Sequence, residues 1–470
     1  MNRRNFFRSS SARNERGAAL ITVMLIGVVL ASVVAVSTTN ALSSNSQASS
    51  QTRRATALQA AEGGVADYLA KLTDDPSYSV NFVHPAESAR RTTLGTTVAS
   101  GSPWSGGSTW TYPVRLGVWR TLPNGYEYNL EIKGKSALSS AITIVSTGRK
   151  HNAMTELRRL EVVVRPSSIA DFMMITNRDI SYAADVATRG KIYAGIDSGG
   201  TAHSVTHSGN AYADVLAENQ VINLPVSRLF NGAQLYDSDS STLIRAVMPA
   251  PINFNTFTGS MVDVRVAAAQ AQGILLDDPT IKGWRLTFRA DGRVDIEKCG
   301  TPASADMATA LPACGTLVTK LMPPNGAIYA DQGVIVSGVV NGQATVVTTD
   351  DVVIGRNLTY FEPGNDVLGL IAKSDIHMAA WSTNSLVVTA SVIAQEGEYK
   401  GIVGAGGART GFTHVGSVAT NLGGSMSALF NNPRIYAYDV NLRFLQPPHF
   451  PTIGDDYIIQ SFRELTPPAP

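Results

Sequence analysis

Charge is scarce in this sequence and nearly balanced. Asp, Glu, Lys and Arg make up 16% of the 470 residues, and the formal net charge is +1. No basic patch with interleaved aromatic residues occurs, so no nucleic-acid partner is expected. Seven histidines and two cysteines, with no Cys-x-x-Cys spacing, leave little from which to build a metal centre or a polar catalytic cluster. No metal, no cofactor and no catalytic residue is therefore expected. A second membrane-length apolar run is also missing. What is abundant is glycine, with 41 residues, and apolar side chains, at 44%. That balance fits a folded, turn-rich β architecture, and the length suffices for two or three domains.

The one long apolar run is residues 18–37, AALITVMLIGVVLASVVAVS, which has no charged residue. At ~1.5 Å per residue a helix of this length spans roughly 30 Å, the thickness of a bilayer's hydrocarbon core. The leader before it carries Arg3, Arg4, Arg8, Arg13 and Arg16 against Glu15 alone, which holds that end in the cytoplasm and places everything after Ser37 outside. Without the leader the exported part is mildly acidic. Helical character continues beyond the membrane. Leu58, Ala61, Val65, Tyr68, Leu69 and Leu72 recur at steps of three and four, an apolar stripe suited to packing on a globular head. Asp74, Asp75 and Pro76 end the pattern.

Gly17 stands between the basic leader and the apolar run, whereas a signal-peptidase site lies beyond such a run. A leader ending in glycine before an apolar helix resembles the prepilin-type junction of type IV pilins and of type II secretion pseudopilins. The resemblance implies cleavage between Gly17 and Ala18 by prepilin peptidase, with the helix left intact. GAALITVML followed by ATALQAAEGGVADYLAKL is similar to the amino-terminal region of minor pilins involved in pilus biogenesis. Most major pilins carry glutamate at the fifth mature position, where it neutralises a neighbour's terminal amine; here that position is Thr22. An unpaired buried ammonium is costly, which suits the subunit to a filament tip; a tolerated substitution in a rarely incorporated subunit is the other reading.

After the stem the period changes. The roughly forty residues after Pro76, with SGSPWSGGSTW at their centre, are rich in Ser, Gly and Thr and read as a loop, and the strand period starts after Trp110. Tyr126, Tyr128, Leu130 and Ile132 alternate with polar residues, Ile142 to Thr147 follows, and Leu160, Val162 and Val164 share one face, which predicts an antiparallel meander lying on the stem. Short Val/Ile/Ala-rich stretches between Gly, Asn and Asp then predict an irregular parallel β-solenoid starting near Ile180, with apolar residues inward and polar residues outward. A helical VDVRVAAAQAQGILL and a hairpin turning at ADGR form an insert. GAIYADQGVIVSGVVNGQATVVTTDDVVIG, LGLIAKSDIHMAA and YDVNLRFLQPPHFP also resemble a bacterial module of uncharacterised function found behind prepilin-type termini.

The expected fold is thus mainly β with a long amino-terminal α-helix: an antiparallel pilin-like meander on the stem helix, then an irregular parallel β-solenoid. Its parts are a leader (1–17), a transmembrane and stem helix (18–73), a pilin-like head (74–166), a solenoid-like domain (167–455) with an insert near 250–322, and a carboxy-terminal tail (456–470). Cys299 and Cys314 lie in an exported region with no histidine between them and are expected to form a disulfide; the rival is a metal pair.

Other candidates for chemistry are thin. His203 and His207 are four apart but lack the glutamate of a metalloprotease motif. GIVGAGGARTG reads as a loop rather than a phosphate cradle. Asp277 with Asp278 and Asp350 with Asp351 are carboxylate pairs in turns, and Asp331, Asp351, Asp366 and Asp375 fall at rung corners, where they would cap backbone amides. Trp381, Tyr360 and Phe361 are aromatic candidates for ligand contact or for packing. The expected function is a non-enzymatic minor pilin or pseudopilin at a filament tip, in the bacterial inner membrane and then on the cell surface or pilus. Its expected partners are other pilin subunits, the pilus assembly machinery, prepilin peptidase and a surface or host ligand. A membrane-anchored surface solenoid and a glycan-active enzyme are the alternatives.

Overall fold

The computed structural model describes residues 44–73, 119–133, 138–151, 156–236, 251–300 and 304–466, apart from positions 46, 185 and 405. The predicted membrane run, the loop expected after Pro76 and the residues Gly17, Ala18 and Thr22 lie outside the described residues. Among those described, no helix is long and apolar enough to cross a membrane.

The helix of residues 47–73 packs on an antiparallel sheet. Ala57, Ala60, Ala61, Val65, Tyr68 and Leu72 are buried; Val65, Tyr68 and Leu72 share a core with Leu130, Ile132, Ile142, Ile144, Val162 and Val164. The strands Arg120–Thr121, Tyr126–Lys133, Ile142–Lys150 and Arg158–Ser168 follow one another in the sheet. The buried stripe is turned from the predicted one, since Leu58 and Leu69 are only half-buried. Small residues explain the rotation. A side chain on Gly148 would meet the Ala57 carbonyl at 2.0 Å, and one on Gly64 would meet Ser146 and Tyr128 at 2.4 and 2.7 Å. Helix and sheet therefore approach backbone to backbone along Ala57, Ala61 and Gly64, which displaces the bulkier leucines to the flanks. Asp67 fastens the pair: its Oδ2 accepts from Lys71 (2.6 Å), Arg120 (3.0 Å) and the Tyr128 hydroxyl (2.9 Å). Burial and the Asp67 charge raise the Tyr128 pKa, so the hydroxyl stays a donor.

The opposite face of this sheet is polar. Glu127 accepts from Arg149 at 2.6 Å, with Trp119 stacked 3.7 Å from that guanidinium, and Glu131 accepts from Arg159 at 2.6 Å. A fifth strand, Thr452–Leu465, pairs antiparallel with Arg158–Ser168. Two expected boundaries change accordingly. The strand does not stop at Pro166 but runs to Ser168, with Pro166 opposite Tyr457. Residues 456–465, read as part of a tail, return to the first sheet, because Arg158–Ser168 would otherwise present an unpaired edge.

Between these two passages the chain builds parallel ladders, and the structure is mainly β. One column of register partners runs Ile274, Ile328, Val346, Leu370, Val392, Val418, Met174, Ile192, Val215, Leu235. Every member is apolar. The column has two ends, so the strands stack and do not close into a barrel. Stacking order departs from chain order. The earliest strand, Met174–Thr176, sits beside the late strand Gly411–Thr420, and the chain first builds outward to Leu235–Tyr236. It then reappears at the far end, where Ile274–Leu276 begins the remaining rungs.

The described part of the return path carries a helix. Phe257–Ala268 buries Phe257, Met261, Val264 and Ala267, and passes the Gln395 rung at Thr258 (2.7 Å) before Ala267 accepts from Asn325 (2.8 Å). This crossing corrects another expectation. The outward neighbours in the ladder, Tyr329, Val347, Ile371 and Ile393, are not polar but form an apolar core with Met261, Val264 and Phe450, because helix and chain end cover that face. Parallel strands begin at Met174, ahead of the expected start near Ile180, where a further strand also forms, and the parallel pairing of Gly283–Phe288 with Gly333–Gly338 shows that the insert overlaps the stack. Its hairpin turns at Asp291–Gly292, as read from ADGR, with Gly292 at φ 76°.

Candidate functional site

The corners of the parallel stack collect most of the predicted carboxylates. Asp351 Oδ1 accepts from the Asp375 amide at 2.9 Å, and Asp375 Oδ1 accepts from the Glu398 amide at 2.6 Å, so successive rungs are tied through their turns. Asp366 accepts from the Gly342 and Glu362 amides at 2.7 and 2.6 Å. Asp331 instead faces Arg265 at 3.8 Å. Parallel strands need such connections at every corner, and short acidic side chains satisfy the turn amides.

One corner gathers more. Ligand atoms of Asp351, Asp375 and His377 lie within 4.8 Å of one another, with His377 Nε2 at 3.2 Å from Asp351. A cation is already there: Lys400 Nζ is 3.0 Å from Asp375 and 2.6 Å from Glu398. The carboxylates are engaged by backbone amides and an ammonium, and so tie successive rungs together.

A groove elsewhere on the stack has more chemical range. It has a volume of about 890 Å³ and is lined by Arg285, Ser337, Arg356, Asn357, Trp381 and Thr383, among others. Its floor is the ladder of Gly283–Arg289, Gly333–Val340 and Val352–Tyr360. One part of its wall, Leu311, comes from the loop between the cysteines. Cys299 and Cys314 are joined by a disulfide, and the short helix Ser304–Thr309 lies within that loop. Met307 and Ala308 pack on Ile335, Val353 and Ala379. The Ala308 carbonyl accepts from the Ala380 amide at 2.7 Å, and the Met307 carbonyl accepts from Trp381 Nε1 at 2.8 Å. Trp381 lies flat enough that a side chain on Gly355 would meet its ring at 2.1 Å. Arg285 makes a fork-to-fork pair with Glu297 at 2.7 and 2.6 Å. Arg356 is exposed and has no polar partner among the described residues.

The other sequence candidates are dispersed. His203 reaches Asp179 at 3.3 Å, whereas His207 contacts Thr188 at 2.9 Å and accepts from the Gly209 amide, so the two do not converge on a ligand. Burial lowers the His207 pKa, which keeps it neutral. Asp278 binds Lys298 at 2.5 Å and the Thr280 hydroxyl at 2.6 Å; these hydrogen bonds hold its carboxyl well below the usual range. The glycine-rich stretch connects the strands Tyr399–Gly401 and Gly411–Thr420 and opens no helix. Tyr360 is buried with its hydroxyl receiving the Leu368 amide at 3.1 Å, while Phe361 is exposed. Of these, only Trp381 lines the groove. Arg356 escaped sequence reading because a single arginine after glycine has no periodic or motif context.

A second groove, about 1060 Å³, lies where the first sheet meets the stack, with Arg189, Lys191, Arg443, Phe444 and Ile459 on its walls. Its one buried charge pair, Arg165 with Asp171, also engages the Pro166 carbonyl and the Ser168 amide, and so braces the junction of the two sheets.

No family model matches this sequence, and no curated protein matches it. Among solved structures, the competence-associated pilin ComZ from Thermus thermophilus is similar over 88% of this chain and 98% of its own, at 13% identity and a TM-score of 0.28. At that score the likeness carries no argument about fold or role.

Proposed function

We propose that this chain is a non-enzymatic minor pilin or pseudopilin that presents an irregular β-solenoid head from a filament tip. The observation that carries the proposal is the helix of residues 47–73 packed through its apolar stripe onto an antiparallel sheet. That helix continues, in sequence, from an uncharged membrane-length run behind a basic leader ending in Gly17. An anchor alone needs no such docking; a filament subunit does, because its head has to be held at a fixed angle to a stem that packs among other stems. In this reading the parallel ladders are solenoid coils, the inner membrane holds the subunit before assembly, and its partners are other pilin subunits, the assembly machinery and prepilin peptidase. Thr22, without a carboxylate to meet a neighbour's amine, supports a terminal position in the filament.

The decisive measurement is the mass of the exported chain. A mature amino terminus at Ala18 is expected, with Gly17→Leu blocking processing because a side chain at the junction obstructs the peptidase. An unprocessed Met1 terminus in the wild type, or normal maturation of Gly17→Leu, would overturn the pilin reading. Immunogold label confined to filament ends is the expected result for the tip assignment; even label along the shaft would refute it.

A further inference from the structure

We propose that the groove beside the disulfide loop binds an acidic oligosaccharide, with Arg356 receiving a sugar carboxylate. The inference gives the surface-contact part of the proposed function a ligand class, and rests on that reading for its exposure outside the cell.

The groove's chemistry selects against other ligands. A peptide adding as a strand needs an open sheet edge, but the floor strand Val334–Val336 is paired on both sides, with Trp284–Leu286 and with Val352–Ile354. A nucleic-acid backbone calls for several unpaired cations along its track. Here one arginine of two, Arg285, is already neutralised by Glu297, which leaves a single positive charge at Arg356.

What remains suits a saccharide of low charge density. Ser337, Asn357 and Thr383 place hydroxyl and amide groups beside Arg356. The Asn357 oxygen accepts from the Val387 amide at 3.1 Å, which fixes its orientation and leaves its NH₂ to donate. Trp381, tied to the loop through Met307, supplies a flat apolar surface. A few fixed polar groups beside an aromatic wall are the ordinary composition of a ligand cleft, and a guanidinium is the side chain that meets a carboxylate with two hydrogen bonds. Glu297 is the one carboxylate on the lining and both its oxygens hold Arg285. The flanking acid pair of a glycosidase is missing from this lining, so the groove would hold a glycan without cleaving it.

The disulfide has a part in this. Its loop brings Leu311 to the groove wall and, through the Met307 carbonyl, holds Trp381, so opening it should loosen the wall without removing any ligand-facing polar group.

The test is isothermal titration of the full-length chain in detergent micelles with a galacturonate oligomer, using the uncharged galactose oligomer as control. Galacturonate should bind and galactose should bind at least about tenfold more weakly, the usual loss of a charge-assisted hydrogen bond. Arg356→Gln should weaken binding about tenfold or more with unchanged circular dichroism, Arg356→Lys should fall between, and Arg189→Ala in the second groove should leave it unchanged. Reductant should weaken binding several-fold. No galacturonate binding, equal affinity for galactose, or full affinity in Arg356→Gln would each overturn the proposal; full affinity under reductant would remove the loop from it. Processing at Gly17 does not enter the readout. A chain that binds galacturonate but keeps Met1 would retain the groove and lose the pilin reading.

Discussion

The two sheets of this protein solve burial differently. The antiparallel sheet has one dry face, against the helix, and one face laced with Glu127–Arg149 and Glu131–Arg159 pairs. The parallel ladder through Val346 and Leu370 is dry on both faces, since Val347 and Ile371 are covered by the return helix and the chain end. Alternation along a strand therefore reports burial in the first sheet and conceals it in the second. The difference also divides labour. The first sheet is fastened to the helix by close backbone approach, whereas the stack leaves its remaining outer surface for the groove around Arg356.

The largest effect should come from the helix-to-sheet approach. Gly148→Val drives a side chain into the Ala57 carbonyl, 2.0 Å from an added Cβ, and is expected to cost about 4 kcal/mol and free the helix to protease. Gly125→Ala, whose added carbon meets nothing within 4 Å but whose φ is 75°, should cost only about 1 kcal/mol. Equal losses in urea unfolding would show that turn strain, not close approach, matters at both sites.

The next contrast is between outward faces. Ile371→Ala is expected to lose about 3 kcal/mol, since Ile371 is fully buried although it faces away from the stack's interior. Arg158→Ala, which breaks a partly exposed pair with Glu464 at 2.6 Å, should lose roughly 0.2–1 kcal/mol. A small loss at Ile371 would mean that the return helix does not cover the ladder.

The smallest of the three effects is a pH dependence located in the stack. His414 is buried, with Nδ1 against the Tyr399 hydroxyl at 2.8 Å, and desolvation pushes its pKa down from 6.5 to about 4. The folded state thus holds it neutral while the unfolded chain takes up a proton as pH falls below 6.5. Its contribution is full above that value and is lost as pH drops towards 4, amounting to about 2 kcal/mol by pH 5. His414→Gln should flatten this part of the stability profile. His207, also shifted down by burial, acts in the same direction, so some slope should persist; an unchanged slope in the variant would remove His414 as its source.

Local patterns were legible where local physics decides the outcome. Tyr126 to Ile132 and Leu160 to Val164 alternate and are strands, the ADGR turn closes a hairpin, and Asp351, Asp366 and Asp375 receive turn amides. The apolar stripe of the helix was readable to within a small rotation, which depended on Gly148 in a strand distant in sequence.

By itself the sequence determined that the chain is mainly β, that its rungs carry apolar residues and acidic corners, and that a helix with an apolar stripe precedes them. Each of these depends on residues close together in the chain. Only the tertiary structure decided the order in which the rungs stack, because one Val/Ile rung can pair with any other and the choice is made by what each end of the stack must cover. It alone placed Met174 beside Val418, returned residues 452–465 to the first sheet and brought Arg356 beside Trp381 and the disulfide loop. Those neighbours are set by closing a common core over long separations, which no local period encodes.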